Sequence, residues 1–537
     1  MNDANQTWVE QIFLVPPSLR DNTADADRLL AALRNRLETD TIIAEIGLLR
    51  DLPDRLRQWG YQARCILFSD GNVFYLVDVT DPKGQPPCAG LAVDLGTTRV
   101  VTRLINLETG AVLAETSFEN PQTAIGDDIL TRIHYADRPG GLDHLRDLII
   151  DGLNRAIGEL CHQAGIGTTD IYLLAVSGNT TMTHLFLKLP PRWIIREPYI
   201  PAVNTPGIVK AAELGIDANP RARVFFFPSV GSYFGGDLIS GILFGKLHRS
   251  DATSLLVDVG TNAEVVLGNR EWLIACAGAA GPALEGGVAK IGAKAGPGVI
   301  DTIAINAATG DITFDTIEHS APKAICGSAL IDLVAHLFAG GILDIRGKLV
   351  PEKAPGRIET DDGIMAYVVV PAGQSATGQA LVFSQPDIDN IIRSKAAMYT
   401  ILETLTASVG LALSDIDTFC VAGTFGSLIN PRSAITIGML PDLPIERFRV
   451  LGNSSLEGAA LLLSSRHPVT EIAAIRNRIT YLELNVNQEF MNRFSAAKFL
   501  PHTDTTLFPS VTVPAFASSL PDKMRKMVSF EAAASIC

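Results

Sequence analysis

Two stretches of the chain follow one pattern. Leu91-Ala92-Val93-Asp94-Leu95-Gly96-Thr97-Thr98 and Leu255-Leu256-Val257-Asp258-Val259-Gly260-Thr261-Asn262 are each an apolar run ending in an aspartate, then a glycine and two small polar residues. The sequel also repeats. A second strand is expected over Val100–Leu107, a turn at Glu108-Thr109-Gly110 and a third strand over Ala111–Ser117. In the later copy the matching pieces are Ala263–Leu267, Gly268-Asn269-Arg270 and Glu271–Ala277. A repeated strand–turn–strand unit predicts two similar α/β halves, because each copy needs its own sheet to bury the apolar run.

Helical spacing fits this plan. Leu145, Leu148, Ile149, Leu153, Ile157 and Leu160 predict an amphipathic helix over about Gly141–Gly165, followed by a buried strand over Ile171–Ser177. The later half is expected to close with a helix from about Pro386 to Gly410, a strand over Thr418–Ala422, a strand over Phe448–Leu451 and a helix opening near Leu456. Ahead of the first copy, Leu29–Leu37 has helical spacing, and Cys65–Phe68 and Val73–Val77 read as strands. Asp81-Pro82-Lys83-Gly84-Gln85-Pro86-Pro87 reads as a linker. The expected division is a small α/β module over 1–88, subdomains over 89–250 and 251–470, the second with inserted Gly-rich loops, and a tail over 471–537.

Charge and cysteine usage exclude several classes. With 44 basic and 58 acidic residues among 537, the net charge is −14, the wrong sign for a phosphate-backbone partner. Mean hydropathy is positive, at +0.23, yet no apolar run approaches the roughly 18–20 residues of a spanning helix. The first residues lack a basic stretch followed by an apolar one, so a cytoplasmic location is expected. The seven cysteines are scattered, with no C-x-x-C pair, and read as reduced thiols, mostly buried.

The doubled turn carries the chemistry. Gly96 and Gly260 let the backbone approach phosphate oxygens, while Thr97, Thr98, Thr261 and Asn262 add short donors. Asp94 and Asp258, each ending a buried strand, suit the hydration shell of a magnesium ion. Facing each other across a cleft, the two turns would clamp the β- and γ-phosphates of ATP; each alone would also serve as a plain hairpin. Gly423-Thr424-Phe425-Gly426 and the helix start at Gly327 and Ser328 are candidate surfaces for adenosine. Asn179 or Thr180, in Ser177-Gly178-Asn179-Thr180-Thr181-Met182, would orient the attacking water; capping of a helix by Thr180 or Thr181 is the other reading. The Gly-rich stretches Ala280–Gly287 and Gly292–Gly298 read as a hinge-and-lid region or an interaction loop, and His184 as a packed helix residue.

These strings occur in the order found in one family. Leu91–Thr98, Gly178–Leu185, Asp258–Asn262, Ala280–Gly287, Ile325–Asp332 and Ala422–Gly426 resemble the reductive activators of corrinoid proteins, over roughly residues 10–500. The resemblance implies a two-lobed actin-like ATPase fold of duplicated ribonuclease-H-like halves, within the actin/Hsp70/sugar-kinase superfamily. It further implies that ATP hydrolysis drives reduction of a methyltransferase corrinoid protein from Co(II) to Co(I), with a low-potential electron donor and a homodimeric assembly. By the same carry-over Asp94, Gly96, Thr97, Thr98, Asp258, Gly260 and Thr261 bind phosphate and magnesium. The family also carries an iron–sulfur cluster, and here the chain departs: no four-cysteine motif is present. Cys537 would be the first ligand of a further module or an incidental cysteine, and without a cluster the electrons must come from a separate reductase. A small-molecule kinase of the same superfamily and a non-redox regulatory ATPase are the competing readings.

Overall fold

In a computed structural model, which describes residues 6–71, 73–259, 263–278, 289–306, 309–423, 428–482 and 488–514, the apolar runs of both copies lie side by side with the strands the repeat predicts. The chain divides into two compact units. One comprises 1–249, 270–273 and 453–481; the other 250–269, 274–452 and 482–537.

The first unit opens with β1 (Val9–Phe13), α1 (Asp25–Leu37), β2 (Ile42–Ala44), α2 (Ile46–Gln58), β3 (Gln62–Ser69) and β4 (Phe74–Thr80). These form a sheet of order β1-β3-β4-β2. Leu29 and Leu33 of α1 and Leu48, Leu52 and Leu56 of α2, all at helical spacing, close over its apolar face. The sequence reading of this segment missed β1, β2 and α2; Pro53 inside α2 reads locally as a helix breaker.

A second sheet follows. It contains β5 (Ala89–Leu95), β6 (Arg99–Asn106), β7 (Val112–Glu119), then, after α3 (Ile129–Ala136) and α4 (Gly141–Ala164), β8 (Ile171–Gly178). After α5 (Thr180–Phe186) come β9 (Ile208–Lys210), α6 (Ala211–Leu214), β10 (Arg223–Phe226) and α7 (Gly236–Gly245). Its order is β7-β6-β5-β8-β10-β9, with β8 parallel to both β5 and β10. Strand alternation sorts β5 between two faces. Leu91, Val93 and Leu95 join Leu145, Ile149, Leu153 and Ile157 of α4 in one core, so Asp94 is turned the other way.

The second unit repeats this topology. β11 (Ser254–Val259), β12 (Ala263–Gly268) and β13 (Leu273–Gly278) form the meander. Then come β14 (Val299–Ile305), β15 (Ile312–Thr316), β16 (Ala324–Ile325), α8 (Gly327–Ala339), β17 (Ile358–Asp361), β18 (Ile364–Val370) and β19 (Leu381–Ser384). α9 (Gln385–Ser408), β20 (Thr418–Ala422), α10 (Pro431–Thr436) and β21 (Phe448–Gly452) complete it. The run β13-β12-β11-β20-β21 matches β7-β6-β5-β8-β10 strand for strand, again with the fourth and fifth parallel to the first. This shared order is the duplicated core of the actin-like ATPase fold. Two three-stranded sheets, β15-β14-β16 and β17-β18-β19, are additions that the sequence reading did not resolve.

The chain then returns to the first unit with α11 (Ser454–Ser464) and α12 (Pro468–Arg478), and after β22 (Ile479–Tyr481) to the second with α13 (Gln488–Ala497). α11 packs on β5, β8 and α7, on the face of β5 opposite α4: a Cβ on Gly90 would meet Leu463 at 3.0 Å. Trp8 ties β1 to the same helix, its indole N–H donating to Leu462 O at 2.7 Å. In the second unit the segment after α13 is held by buried Lys395 of α9, whose ammonium donates to the carbonyls of Phe499 and Pro501.

Candidate functional site

The face of β5 that Asp94 occupies is where α11 begins, and this decides its surroundings. Asn453 and Ser455 stand at the N-terminus of α11; Asn453 caps the helix by accepting from Leu456 N at 2.9 Å. Asn453 Nδ2 donates to Asp94 Oδ2 and Ser455 Oγ to Asp94 Oδ1, both at 2.8 Å. Ser455 Oγ also lies 3.0 Å from Ser177 Oγ, because β5 and β8 pair with Asp94 opposite Ser177. Both donors to Asp94 are neutral, and no Lys or Arg pairs with it among the described residues. Burial pushes its carboxyl pKa up, and the Ser455 and Asn453 hydrogen bonds hold it back.

The turn after Asp94 is tight. A Cβ on Gly96 would lie 2.2 Å from Arg99 O, so the hairpin itself requires glycine there. Buried Asn120 braces the turn, donating from Nδ2 to Gly96 O at 2.9 Å and from its backbone N–H to Thr98 O at 2.8 Å. Asn179 reaches the turn from β8, its Nδ2 donating to Thr97 Oγ1 at 3.1 Å while its Oδ1 caps α5 by accepting from Met182 N. The N–H groups of Thr97 and Thr98 find no acceptor among the described residues. An oriented carboxylate beside a turn with open N–H and hydroxyl donors can hold a cation and a phosphate together.

Other expected residues fall as follows. Asn179, and neither Thr180 nor Thr181, is the cap of α5; Thr180 is buried and donates to Gly231 O at 3.1 Å. His184 is packed as expected: Nδ1 meets Thr180 O at 2.7 Å, Nε2 accepts from Ala202 N at 3.1 Å, and burial lowers its pKa.

In the second unit Asp258 is the penultimate residue of β11, paired in register with Ala422 of β20. Gly423 follows with φ +85°, and a Cβ there would meet Asp258 Oδ1 at 2.7 Å and Val259 O at 2.8 Å. Asp258 and Gly423 are thus brought together, as Asn179 and Thr97 are in the first unit. Gly327 and Ser328 open α8, which packs on β14 and α10; Ser328 Oγ is 3.1 Å from Cys326 Sγ. Gly260, Thr261, Asn262, Thr424, Gly426 and the Ala280–Gly287 loop lie outside the described residues.

Three functional candidates were invisible to local motif reading: Asn453, Ser455 and Asn120. Asn453 and Ser455 follow a strand of the second unit's sheet, and the packing of α11 on β5 carries them to Asp94. Among the described residues no group of acidic, histidine and cysteine side chains forms a metal cluster, and the six described cysteines are buried and free. Nor is any described helix long and apolar enough to cross a membrane.

Comparison with known proteins covers nearly the whole chain. Family profiles described as the RACo linker region, the RACo middle region and the C-terminal domain of RACo, the ASKHA domain, match residues 5–83, 89–250 and 252–512. The corrinoid activation enzyme RamQ of Eubacterium limosum is 31% identical over 443 residues, 81% of this chain and 74% of RamQ. The [Co(II) methylated amine-specific corrinoid protein] reductase of Methanosarcina barkeri is 23% identical over 440 residues, 75% of each chain. A solved structure of a reductive activator for corrinoid, iron–sulfur protein superposes with a TM-score of 0.84 at 39% identity, covering 95% of this chain and 82% of the other.

Proposed function

Because the chain belongs to the family of reductive activators of corrinoid proteins, we propose that it couples ATP hydrolysis to reduction of Co(II) to Co(I) in the corrinoid protein of a methyltransferase system. The observation that carries the ATP step is the Asp94 carboxylate, oriented by Asn453 and Ser455, beside the braced turn of Gly96, Thr97 and Thr98.

Each residue has a task in this reading. The N–H groups of Thr97 and Thr98 donate to phosphate oxygens. Asn179 orients the Thr97 hydroxyl so that its proton points outward. Asp94 suits a magnesium ion: it is a desolvated carboxylate whose only partners among the described residues are neutral, so a cation would relieve its burial cost. Magnesium, when bound, supplies charge neutralisation at the phosphates. Asp258, with Gly423 packed against it, does the equivalent in the second unit, together with Gly260, Thr261 and Asn262. Gly423, Thr424, Gly426, Gly327 and Ser328 contribute adenosine contacts. We assign 89–250 and 251–470 to the two ATPase subdomains, with the stretch 453–470 packing on the first, 1–88 to a preceding module and 471–537 to a tail.

The iron–sulfur cluster expected from the resemblance does not fit the described cysteines, which are buried, unpaired and scattered. In this reading the electron reaches the partner's cobalt from a low-potential donor. ATP acts by changing which cobalt state of the partner is bound more tightly; that difference in affinity shifts the reduction equilibrium by the same amount. We place the protein in the cytoplasm as a homodimer.

The test is anaerobic. The protein is mixed with a Co(II) corrinoid protein, magnesium, ATP and a low-potential donor, and the Co(I) absorbance band is followed. Co(I) should accumulate with ATP and not with ADP. Phosphorylation of a sugar or polyol with no Co(I) signal would overturn the proposal in favour of a kinase.

A further inference from the structure

Arg132 of α3 is fully buried, at 0% exposure, and it is unlike the other buried arginines. Arg64 pairs with Glu108 and Arg223 with Glu45. Arg132 has no carboxylate partner among the described residues, and its Nη2 has no hydrogen-bond partner there at all. Asp127 and Asp128 act on it only through space, and the Asp128 carboxylate is spent on Thr131, accepting from its N at 2.9 Å and its Oγ1 at 2.7 Å. A buried cation with no hydrogen-bonded carboxylate among the described residues is costly, and an anion brought near it would offset that cost.

Its Nη1 contacts lead on both sides to the Gly96–Thr98 turn. Arg132 Nε donates to Gly126 O at 2.8 Å. Nη1 donates to Gln122 Oε1 at 3.2 Å, and Gln122 N donates to Asn120 Oδ1 at 3.0 Å. Asn120 in turn holds Gly96 O and Thr98 O. On the other side Nη1 contacts Met182 Sδ at 3.4 Å, Met182 N donates to Asn179, and Asn179 holds Thr97. The ring closes. The guanidinium sits at its base, and the Gly96–Thr98 turn is its opposite side.

We propose that Arg132 is a positioning residue that supplies fixed positive charge behind the Gly96–Thr98 turn, so that the turn holds a nucleotide more tightly the more phosphate charge the nucleotide carries. The inference rests on that turn being the phosphate site. In a chain of net charge −14, a cation built into the core offsets the repulsion that an incoming polyphosphate meets.

The experiment is calorimetric titration of the full chain, with magnesium, by ATP, ADP and adenosine. R132M, close in volume and uncharged, should weaken ATP binding about tenfold, ADP by a smaller factor and adenosine not at all. R132K, which keeps the charge, should restore most of the ATP-over-adenosine preference. Equal weakening of all three ligands by folded R132M would make Arg132 a packing residue and overturn the inference, as would no weakening. Should R132M fail to fold, R132Q replaces it with the same two outcomes. If the wild-type chain itself prefers ATP no more than adenosine, the phosphate-site reading fails first, and that result is distinct from the others.

Discussion

The Ser455 hydroxyl donates to Asp94 Oδ1 at 2.8 Å across 361 residues of sequence, and Ser455 Oγ also lies 3.0 Å from Ser177 Oγ. One helix start thus orients a carboxylate at the end of β5. Hydrogen bonds to charged groups contribute about 1.5–3 kcal/mol. S455A is expected to slow ATP hydrolysis roughly tenfold while far-ultraviolet circular dichroism stays unchanged. D94N, which removes the charge itself, should cost about a hundredfold or more. Hydrolysis by D94N at the wild-type rate would remove Asp94 from the metal and phosphate site.

Gly423 answers a second question, whether its closeness to Asp258 serves function. G423A adds left-handed backbone strain of roughly 1–2 kcal/mol and a Cβ 2.7 Å from Asp258 Oδ1. G410A is the control, with φ +73° and nothing within 4 Å of a Cβ. Both should lower Tm by a few degrees; only G423A should also lose most ATP turnover. Equal turnover in the two variants would reduce Gly423 to a turn residue.

Asp78 of β4 is buried and takes Arg55 at 3.1 Å, Arg221 at 2.7 Å and Asn219 at 3.3 Å. Arg221 and Asn219 precede β10, so this carboxylate fastens the N-terminal sheet to the larger one. D78A strands two guanidinium groups and should destabilise the first unit by about 3–5 kcal/mol, read from denaturant melts. A loss below about 1 kcal/mol would mean that apolar packing such as Phe68 of β3 against Phe225 of β10 fastens the sheets unaided.

His502 gives a pH dependence. It is 7% exposed, and burial with Lys395 nearby lowers its pKa to about 4. The unfolded chain, with an ordinary pKa of about 6.5, binds the extra proton first as pH falls. Stability from this group is therefore complete above about pH 6.5 and declines toward pH 4, by about 1.4 kcal/mol per pH unit between those limits. H502F should flatten the unfolding free energy across that window. An unchanged slope would assign the acid sensitivity to other groups.

What was legible in the sequence was whatever a local period encodes. The apolar runs of β5 and β11, the helical stripe of α4 and the doubled Asp-x-Gly string are each local in sequence, and they carried the α/β class, the duplication and the candidate phosphate residues Asp94, Gly96 and Thr97. The short N-terminal strands and α2 were not, since a three-residue strand has no readable period and Pro53 interrupts the helical one.

By itself the sequence determined that two like halves form, each with an aspartate near the end of a buried strand and a glycine two residues on. Tertiary structure alone decided what those aspartates and turns meet. Asn453 and Ser455 reach Asp94 because the chain comes back after 359 and 361 residues to lay α11 on the face of β5 that strand alternation leaves to Asp94. Arg132 comes to lie behind the turn because α3 and α5 pack together, placing Gln122 and Met182 on either side of its guanidinium. Neither contact has a local signature. A hydrogen bond or a buried charge depends on which surfaces the core brings together, and burial of apolar area, summed over the whole chain, chooses those surfaces.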